Sequence, residues 1–318
     1  MEIRYLKYQE IDHQKWDRCI TLAFNGNVYA LSWYLDIVCY GWEALVEGDY
    51  ERVMPLTPGR KAGISYLYQP FFTQQLGIYS ISELNAGIVS RFISAIPKVY
   101  RFIEINLNAH NKLTSGTGGI KFLTNIELEL IQPYDKLFRA YSENARRNIR
   151  KAVNHQLVLS EVCAPEQIVN LFRQNKGREI EQFAERQYNM LTHLMHTCIY
   201  RGTGRIVAAY SAENELCGAA FITTFKNRTV FLFSANNPFG KNAGAMFLII
   251  NSIVKEKAGS NHIFDFEGSN NEALARFYLS FGSSVIQYPQ LVVDRLPSLI
   301  TFAVRQIKKI RSRYFLSL

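Results

Sequence analysis

Several residue groups have types and spacings that can do chemistry. Asp265 and Glu267 stand two positions apart in the run HIFDFEG at 262–268, just ahead of a helical segment carrying Phe277-Tyr278. On a strand this spacing points both carboxylates to one side. There a carboxylate can take a proton from an ammonium, or simply stay solvated at the strand end. Upstream, Gly240-Lys241-Asn242-Ala243-Gly244-Ala245 leads into an apolar helical run. Glycines, a cation and the N–H groups of a helix N-terminus can cradle a phosphate; an ordinary Gly-containing loop is the alternative.

Arg146, Arg147, Arg150 and Lys151 fall in one helical segment. Arg146 and Arg150 share one face, Arg147 and Lys151 the next. Such cations suit an anion or a nucleic acid, or a solvated face. No stacking aromatics are interleaved, as a single-strand binder requires. In the N-terminal half, Gln69-Pro70-Phe71-Phe72-Thr73-Gln74-Gln75-Leu76-Gly77 is a shaped loop. Gln74 and Gln75 are its candidate contacts to an acceptor at a cleft between units; a packed turn is the alternative. His193 and His196 are three apart on a helix, but no carboxylate stands at metal-ligand spacing, so no metal is expected. No Ser-His-Asp or Cys-His order and no P-loop is present.

An alternating series of elements must hold these residues. Residues 2–7 predict a strand, and 13–24 and 32–40 predict helices. Residues 42–46 and 52–56 flank the turn Glu47-Gly48-Asp49, a hairpin signal, and 65–68 would extend that sheet. Residues 82–96 have helical periodicity with Ser82 as N-cap, and 102–107 form an apolar strand. A second series follows: one long helix over 134–154, a strand over 157–162, and helix over 166–197 broken near Gly177. Then come a hairpin of 206–211 and 216–224, a strand over 229–235, a helix over 244–258, a strand over 263–266, a helix over 271–281 and a strand over 284–293. Both series run helix, hairpin, third strand, helix, apolar strand. This predicts two copies of one α/β unit, at 1–133 and 134–295, with a tail over 296–318.

The 318 residues are 48% hydrophobic, 20% charged and 13% aromatic. That composition supplies one large core or two ordinary ones and excludes a disordered chain. The longest mainly apolar stretch, 245–254, already contains Asn251 and Ser252, whereas a spanning helix needs about 20 apolar residues. The opening MEIRYLKYQEIDHQKW shows no apolar signal region. The five cysteines are odd in number and form no CxxC pair, which suits reduced thiols. The expected location is the cytoplasm. Net charge is +9, and residues 297–318 hold Arg305, Lys308, Lys309, Arg311 and Arg313 with no acid. Leu299, Ile300, Ala303, Ile307 and Ile310 fall on one face of this tail. A basic amphipathic helix there would dock on the body, its cations facing a phosphate-bearing partner or the inner membrane.

Three segments resemble a known superfamily. Asn271, the pair Phe277-Tyr278 and Gly282 keep the spacing of the N-x-x-A-x-x-F-Y-x-x-x-G-F segment of GNAT N-acyltransferases, with Leu274 and Ser283 as departures. Residues 144–152 (NARRNIRKA) resemble a helix of the FemAB-like, CelD-like branch, whose members carry two GNAT units in tandem, and HIFDFEGS at 262–269 resembles that branch too. The match covers 142–290 well and the N-terminal half through its pattern. In that family an acyl thioester lies in a wedge between splayed strands, an amine attacks its carbonyl, and a Tyr on the next helix protonates the thiolate. The resemblance makes Tyr278 that acid, and Glu267, nearer the strand end than Asp265, the base for the incoming ammonium. It makes Gly240, Lys241, Asn242, Gly244, Ala245 and Asn271 the cofactor contacts, although Met246 stands where the family's diphosphate turn has Gly or Ala.

The implied fold is α/β: two tandem GNAT-like units, each a mixed, mostly antiparallel sheet flanked by helices. The implied activity is transfer of an acyl group from a thioester, acyl-CoA, to the amine of a small molecule or peptide. Gln74, Gln75, Arg147 and Arg150 are the expected substrate contacts. Enzymes resembling FemX, which take the acyl group from aminoacyl-tRNA, commonly have F-K where this chain has Phe277-Tyr278; the Tyr points to a thioester. An aminoacyl-tRNA-dependent transferase of cell-wall peptide synthesis, with tRNA as partner, stays open as an alternative. So does a degenerate GNAT pair that binds without turnover.

Overall fold

A computed structural model describes residues 2–113, 119–179, 183–268 and 271–296. Apart from Leu296, the expected tail helix lies outside these residues. The chain divides into two compact units, Met1–Thr124 with Ile286–Leu318, and Asn125–Val285.

The first unit contains β1 (Ile3–Leu6), α1 (His13–Leu22), α2 (Ser32–Val38), β2 (Glu43–Glu47), β3 (Arg52–Leu56), β4 (Pro58–Lys61), β5 (Ile64–Tyr68), β6 (Tyr79–Ser80), α3 (Ala86–Ala95) and β7 (Tyr100–Asn106). Asp12 starts α1 by accepting from the N–H groups of Gln14 and Lys15. One sheet has the order β1-β2-β3-β6. β5 does not extend the β2–β3 hairpin as expected. Ala62 and Gly63 both take positive φ, 49° and 79°, and this tight turn commits β5 to β4. β5 then pairs in parallel with β7. α3 starts at Asn85, whose Oδ1 accepts from Ile88 N–H, and not at Ser82, whose hydroxyl serves Arg52. Leu45, Met54, Phe92, Ile103 and Ile105 form the core beneath these strands.

The chain crosses between units in β8 (Ile120–Glu129), a strand absent from the expected series. Its buried Ile126, Leu128 and, just beyond it, Leu130 alternate with Glu127 and Glu129, a period-two signal. The second unit continues with α4 (Tyr134–Ala140), α5 (Glu143–Asn154), β9 (Val158–Ser160), α6 (Pro165–Gln174), α7 (Glu185–Tyr200), β10 (Gly204–Tyr210), β11 (Leu216–Phe225), β12 (Arg228–Asn236), α8 (Pro238–Ala243), α9 (Ala245–Lys257), β13 (Ile263–Asp265) and α10 (Glu272–Leu279). Its strands run in the order β8-β13-β12-β11-β10-β9. Among the described residues, only β12 and β13 of this series pair in parallel. β14 (Ser284–Asp294) then returns to the first unit, antiparallel to β7. The units are therefore not the linear blocks 1–133 and 134–295, because two long strands each pass from one unit to the other.

The single long helix expected over 134–154 is two. Tyr141 is extended, at φ −64° and ψ 144°, and the Ser142 hydroxyl caps α5 by accepting from Ala145 N–H. Tyr141 itself is sealed against Phe138 and Phe281. Its hydroxyl is buried with no hydrogen-bond partner, and burial raises its pKa. Removing an unsatisfied buried hydroxyl removes its desolvation cost. Tyr141→Phe is therefore expected to hold stability or raise it by about 1 kcal/mol. The check is a urea midpoint that moves up at unchanged slope; a clear fall would show that the hydroxyl has a partner.

Candidate active site

The parallel contact between β12 and β13 spans three residue pairs, Arg228–Ile263, Thr229–Phe264 and Val230–Asp265, and stops there. β12 runs on to Asn236 paired with β11. β13 ends at Asp265, and the chain turns away through Phe266 and Glu267. Two strands that stop pairing halfway open a wedge, and α10 brings Tyr278 to it. Tyr278 is 6% exposed. Its ring stacks on Phe266 at 4.8 Å and meets Phe231 edge-on at 6.1 Å. Burial, and then the negative charge of Glu267, push its hydroxyl above the ordinary value of 10.0. The proton therefore stays on oxygen at neutral pH.

Phe266, the residue before Glu267, packs on the Tyr278 ring, and the Glu267 charge acts on the Tyr278 hydroxyl. The structure does not place Asp265 and Glu267 on one strand face. The strand ends between them, and Glu267 takes a left-handed φ of 58°. That conformation costs a non-glycine residue about 1–2 kcal/mol. Asp265 Oδ1 accepts the Glu267 backbone N–H at 2.9 Å. Asp265 Oδ2 is 2.6 Å from Arg228 Nη1, which also donates to Glu127 Oε1 at 2.7 Å. Asn125 Nδ2 donates to the same Glu127 oxygen at 2.9 Å. Burial raises the Asp265 pKa, Arg228 opposes this, and Glu127 adds to it. Two carboxylates compete here for one guanidinium. Arg228 and Glu127 went unnoticed in the sequence, because they stand 37 and 101 residues from their partners in this cluster.

His262 enters the same strand and its Nε2 lies 2.8 Å from Thr229 Oγ1. Burial, then the charges of Lys257 and Arg228, lower its pKa below 6.5. A lowered folded-state pKa means that the fold prefers the neutral ring. Its contribution is present above pH 6.5 and is lost as pH falls through the folded value. Unfolding free energy should therefore decline on acidification below about pH 6.5, and His262→Asn should flatten that slope. Identical slopes in both proteins would assign the decline to other groups.

On α5, Arg147, Asn148, Arg150, Lys151 and Asn154 line a shallow depression of about 530 Å³. Lys151 Nζ donates to Asn242 Oδ1 at 3.0 Å, which ties α5 to α8, where Lys241 is exposed. Arg147 leans on Asn144 Oδ1 at 2.9 Å. Among the described residues, none of Arg147, Arg150, Lys151 and Lys241 forms an ion pair with a carboxylate. Arg146 is turned away and donates to Arg139 O.

The stretch expected to be a phosphate loop is helical. Asn237 caps α8 by accepting from Gly240 N–H at 2.6 Å, and Pro238 opens it. Gly240 and Ala245 are buried, and a side chain at 240 would collide with the Cys217 carbonyl. Gly244 joins α8 to α9 at φ +86°. A Cβ there would lie 2.6 Å from the Asn148 carbonyl oxygen. On that side the neighbour of Gly244 is an acceptor on α5, which no anion would face. Asn271 caps α10, accepting from Ala273 and Leu274 N–H.

The remaining expected contacts lie elsewhere. In the first unit the buried Gln75 accepts from Ala109 N–H at 3.1 Å and donates to Gln74 Oε1 at 2.8 Å. Gln74 O accepts from Asn106 Nδ2. These amides tie their loop to the end of β7. His196 pairs with Glu166 at 2.7 Å.

No protein-family model matches the chain, and no curated protein matches it in sequence. Solved structures do. FemX is 11% identical over 96% of this chain and 99% of that chain, with a TM-score of 0.64. A conserved protein of unknown function from Bacteroides thetaiotaomicron is 10% identical over 89% and 97%, at 0.59. L-PGS from Bacillus licheniformis is 12% identical over 92% and 95%, at 0.53. At such identities the likeness is one of fold. The chain has the mixed α/β, GNAT-like fold that its sequence implied. Among the described residues no helix is long and apolar enough to cross a membrane.

Proposed function

We propose that this protein is an acyltransferase that builds an amide, moving an acyl group from a phosphate-bearing activated donor to an amine. The Tyr278 ring, packed on Phe231 and Phe266 just past the last β12–β13 pair, with the Glu267 charge acting on its hydroxyl, carries this reading. The acceptor ammonium gives one proton to the Glu267 carboxylate. Its freed lone pair attacks the acyl carbonyl carbon, forming the C–N bond. As the C–S bond of a thioester breaks, the thiolate takes the Tyr278 proton. The second proton shed by nitrogen restores the Tyr278 hydroxyl, and Glu267 releases the first to water. Arg147, Arg150 and Lys151 hold the donor's phosphates, with Lys241 beside them.

Acyl-CoA is the first reading of the donor, because a protonated Tyr at 278 suits a thiolate leaving group. One observation favours aminoacyl-tRNA instead: the Asn148 carbonyl oxygen stands against Gly244, so the turn into α9 presents an acceptor on that side. The cations, by contrast, line an open surface that suits a longer polyanion.

Thermal unfolding with acetyl-CoA and, separately, with aminoacyl-tRNA decides between them. The true donor should stabilise the protein by about 2.7 kcal/mol at a hundredfold excess over Kd. Arg147→Glu with Arg150→Glu should abolish that shift. Stabilisation by neither ligand would overturn the acyltransferase reading and leave a binding module.

A further inference from the structure

The cluster of Glu127, Arg228 and Asp265 lies at the closed end of the wedge, beneath the point where the strands part. Stability alone does not explain it. Two carboxylates and one guanidinium are costly to bury, and apolar replacements of such clusters often fold at least as well. Asp265 is 3% exposed, and each of its oxygens has a different task. Oδ2 is anchored on Arg228, which Glu127 holds from the other side. Oδ1 reaches forward and accepts the backbone N–H of Glu267. That bond falls on a residue held in a left-handed conformation, two residues after the last paired residue of β13. Left-handed non-glycine residues persist where the surroundings over-determine them. Here the surroundings are a charged acceptor fixed by its own ion pair.

We propose that Asp265 is a positioning residue, which fixes the Glu267 backbone and so aims the Glu267 carboxylate at the acceptor amine beside Tyr278, with Arg228 and Glu127 as its anchor. The inference rests on the reading of Glu267 as the base. A base must lie within hydrogen-bond reach of the proton it removes. A glutamate on a freely turning segment after a strand end would meet that condition only part of the time. The two carboxylates therefore divide the work: one is buried and fixed, and the other is half-buried and reactive.

Asp265→Ala tests this without emptying the cluster of counter-charge, since Arg228 keeps Glu127. Residue-resolved amide hydrogen exchange is the first measurement. The Glu267 amide should exchange about 10- to 100-fold faster in Asp265→Ala, while the amides of Ile263 and Phe264 keep their protection. Unchanged protection at Glu267 would overturn the proposal. Should Asp265→Ala fail to fold, Asp265→Asn keeps the Oδ1 acceptor but weakens its anchor. It should then give a smaller shift in the same direction.

Acyl transfer from the donor that stabilises the protein is the second measurement, with two acceptors. A primary alkylamine arrives as an ammonium and needs the base. Hydroxylamine arrives neutral and does not. Asp265→Ala should lower kcat for the alkylamine about 10²-fold or more at unchanged KM, as Glu267→Gln should, and largely spare hydroxylamine. An equal loss with both acceptors would overturn positioning in favour of a general structural role. Full alkylamine activity in Glu267→Gln, with Glu267 exchange still responding to Asp265→Ala, would instead remove Glu267 as base and leave the hydrogen bond standing.

Discussion

Tyr278→Phe lowers kcat by about 10²–10⁴-fold while donor affinity and melting temperature stay nearly unchanged. The expectation follows from what the hydroxyl touches. The ring is packed by Phe266, Phe231 and Phe277, and Phe keeps every one of those contacts. No hydrogen bond from the Tyr278 hydroxyl reaches another described residue, so the fold loses no polar partner. What is lost is a proton that burial and Glu267 hold on oxygen until a stronger base forms beside it. A thiolate appearing in the same desolvated wedge is such a base, since burial raises its proton affinity as it does that of the phenol. An ester donor would leave as an alkoxide and need the acid more, so the loss should lie at the upper end with aminoacyl-tRNA. A Phe variant with full kcat would defeat the assignment. A large fall in melting temperature would show that the hydroxyl serves a buried partner and that Tyr278 is structural.

Arg228→Met is expected to cost about 3 kcal/mol at neutral pH, read as a lower urea midpoint at unchanged slope. The guanidinium is mostly buried between Glu127 and Asp265, and its loss leaves two carboxylates facing each other. The cost should depend on pH in a defined direction. Asp265 already has a pKa above its ordinary 3.8, with Arg228 opposing the rise. Removing Arg228 raises it further. A folded-state pKa above the unfolded one gives stability at low pH that is lost as pH rises through the folded value. The deficit of Arg228→Met should therefore be smaller at about pH 5 than at about pH 8. A deficit below about 1 kcal/mol, the same at both pH values, would mean that the cluster behaves as an ordinary solvated pair.

Much of the site was legible because its signals are local. The cap of Asn271 on α10 reaches two and three residues along the chain. The helix carrying Tyr278, the hairpin turning at Asn214 with φ 62° and the apolar strand before α10 each follow from a few neighbouring side chains. Helical spacing alone groups Arg147 and Arg150 as cations of one helix, and they share one depression with Lys151. Local rules also misled where a non-local partner intervened. Alternation along a strand placed Glu267 beside Asp265. The strand ends at Asp265, however, because the facing edge of β12 pairs no further than Val230. A Gly-containing loop was expected at 240–245. Asn237 and Pro238 instead start a helix there, and Gly240 is required by the backbone of β11 lying against it.

The sequence by itself determined the α/β series and the basic face of α5, while the candidate acid and base came from a resemblance. Periodicity, caps and turn chemistry act within a few residues and survive any tertiary arrangement. Only the tertiary structure decided that Arg228 stands between Glu127 and Asp265, that Asp265 holds the Glu267 backbone, and that the Asn148 carbonyl faces Gly244. Each depends on strand register or helix contact between distant segments. Side-chain pattern shows which face of an element is buried, but not which residue it meets there.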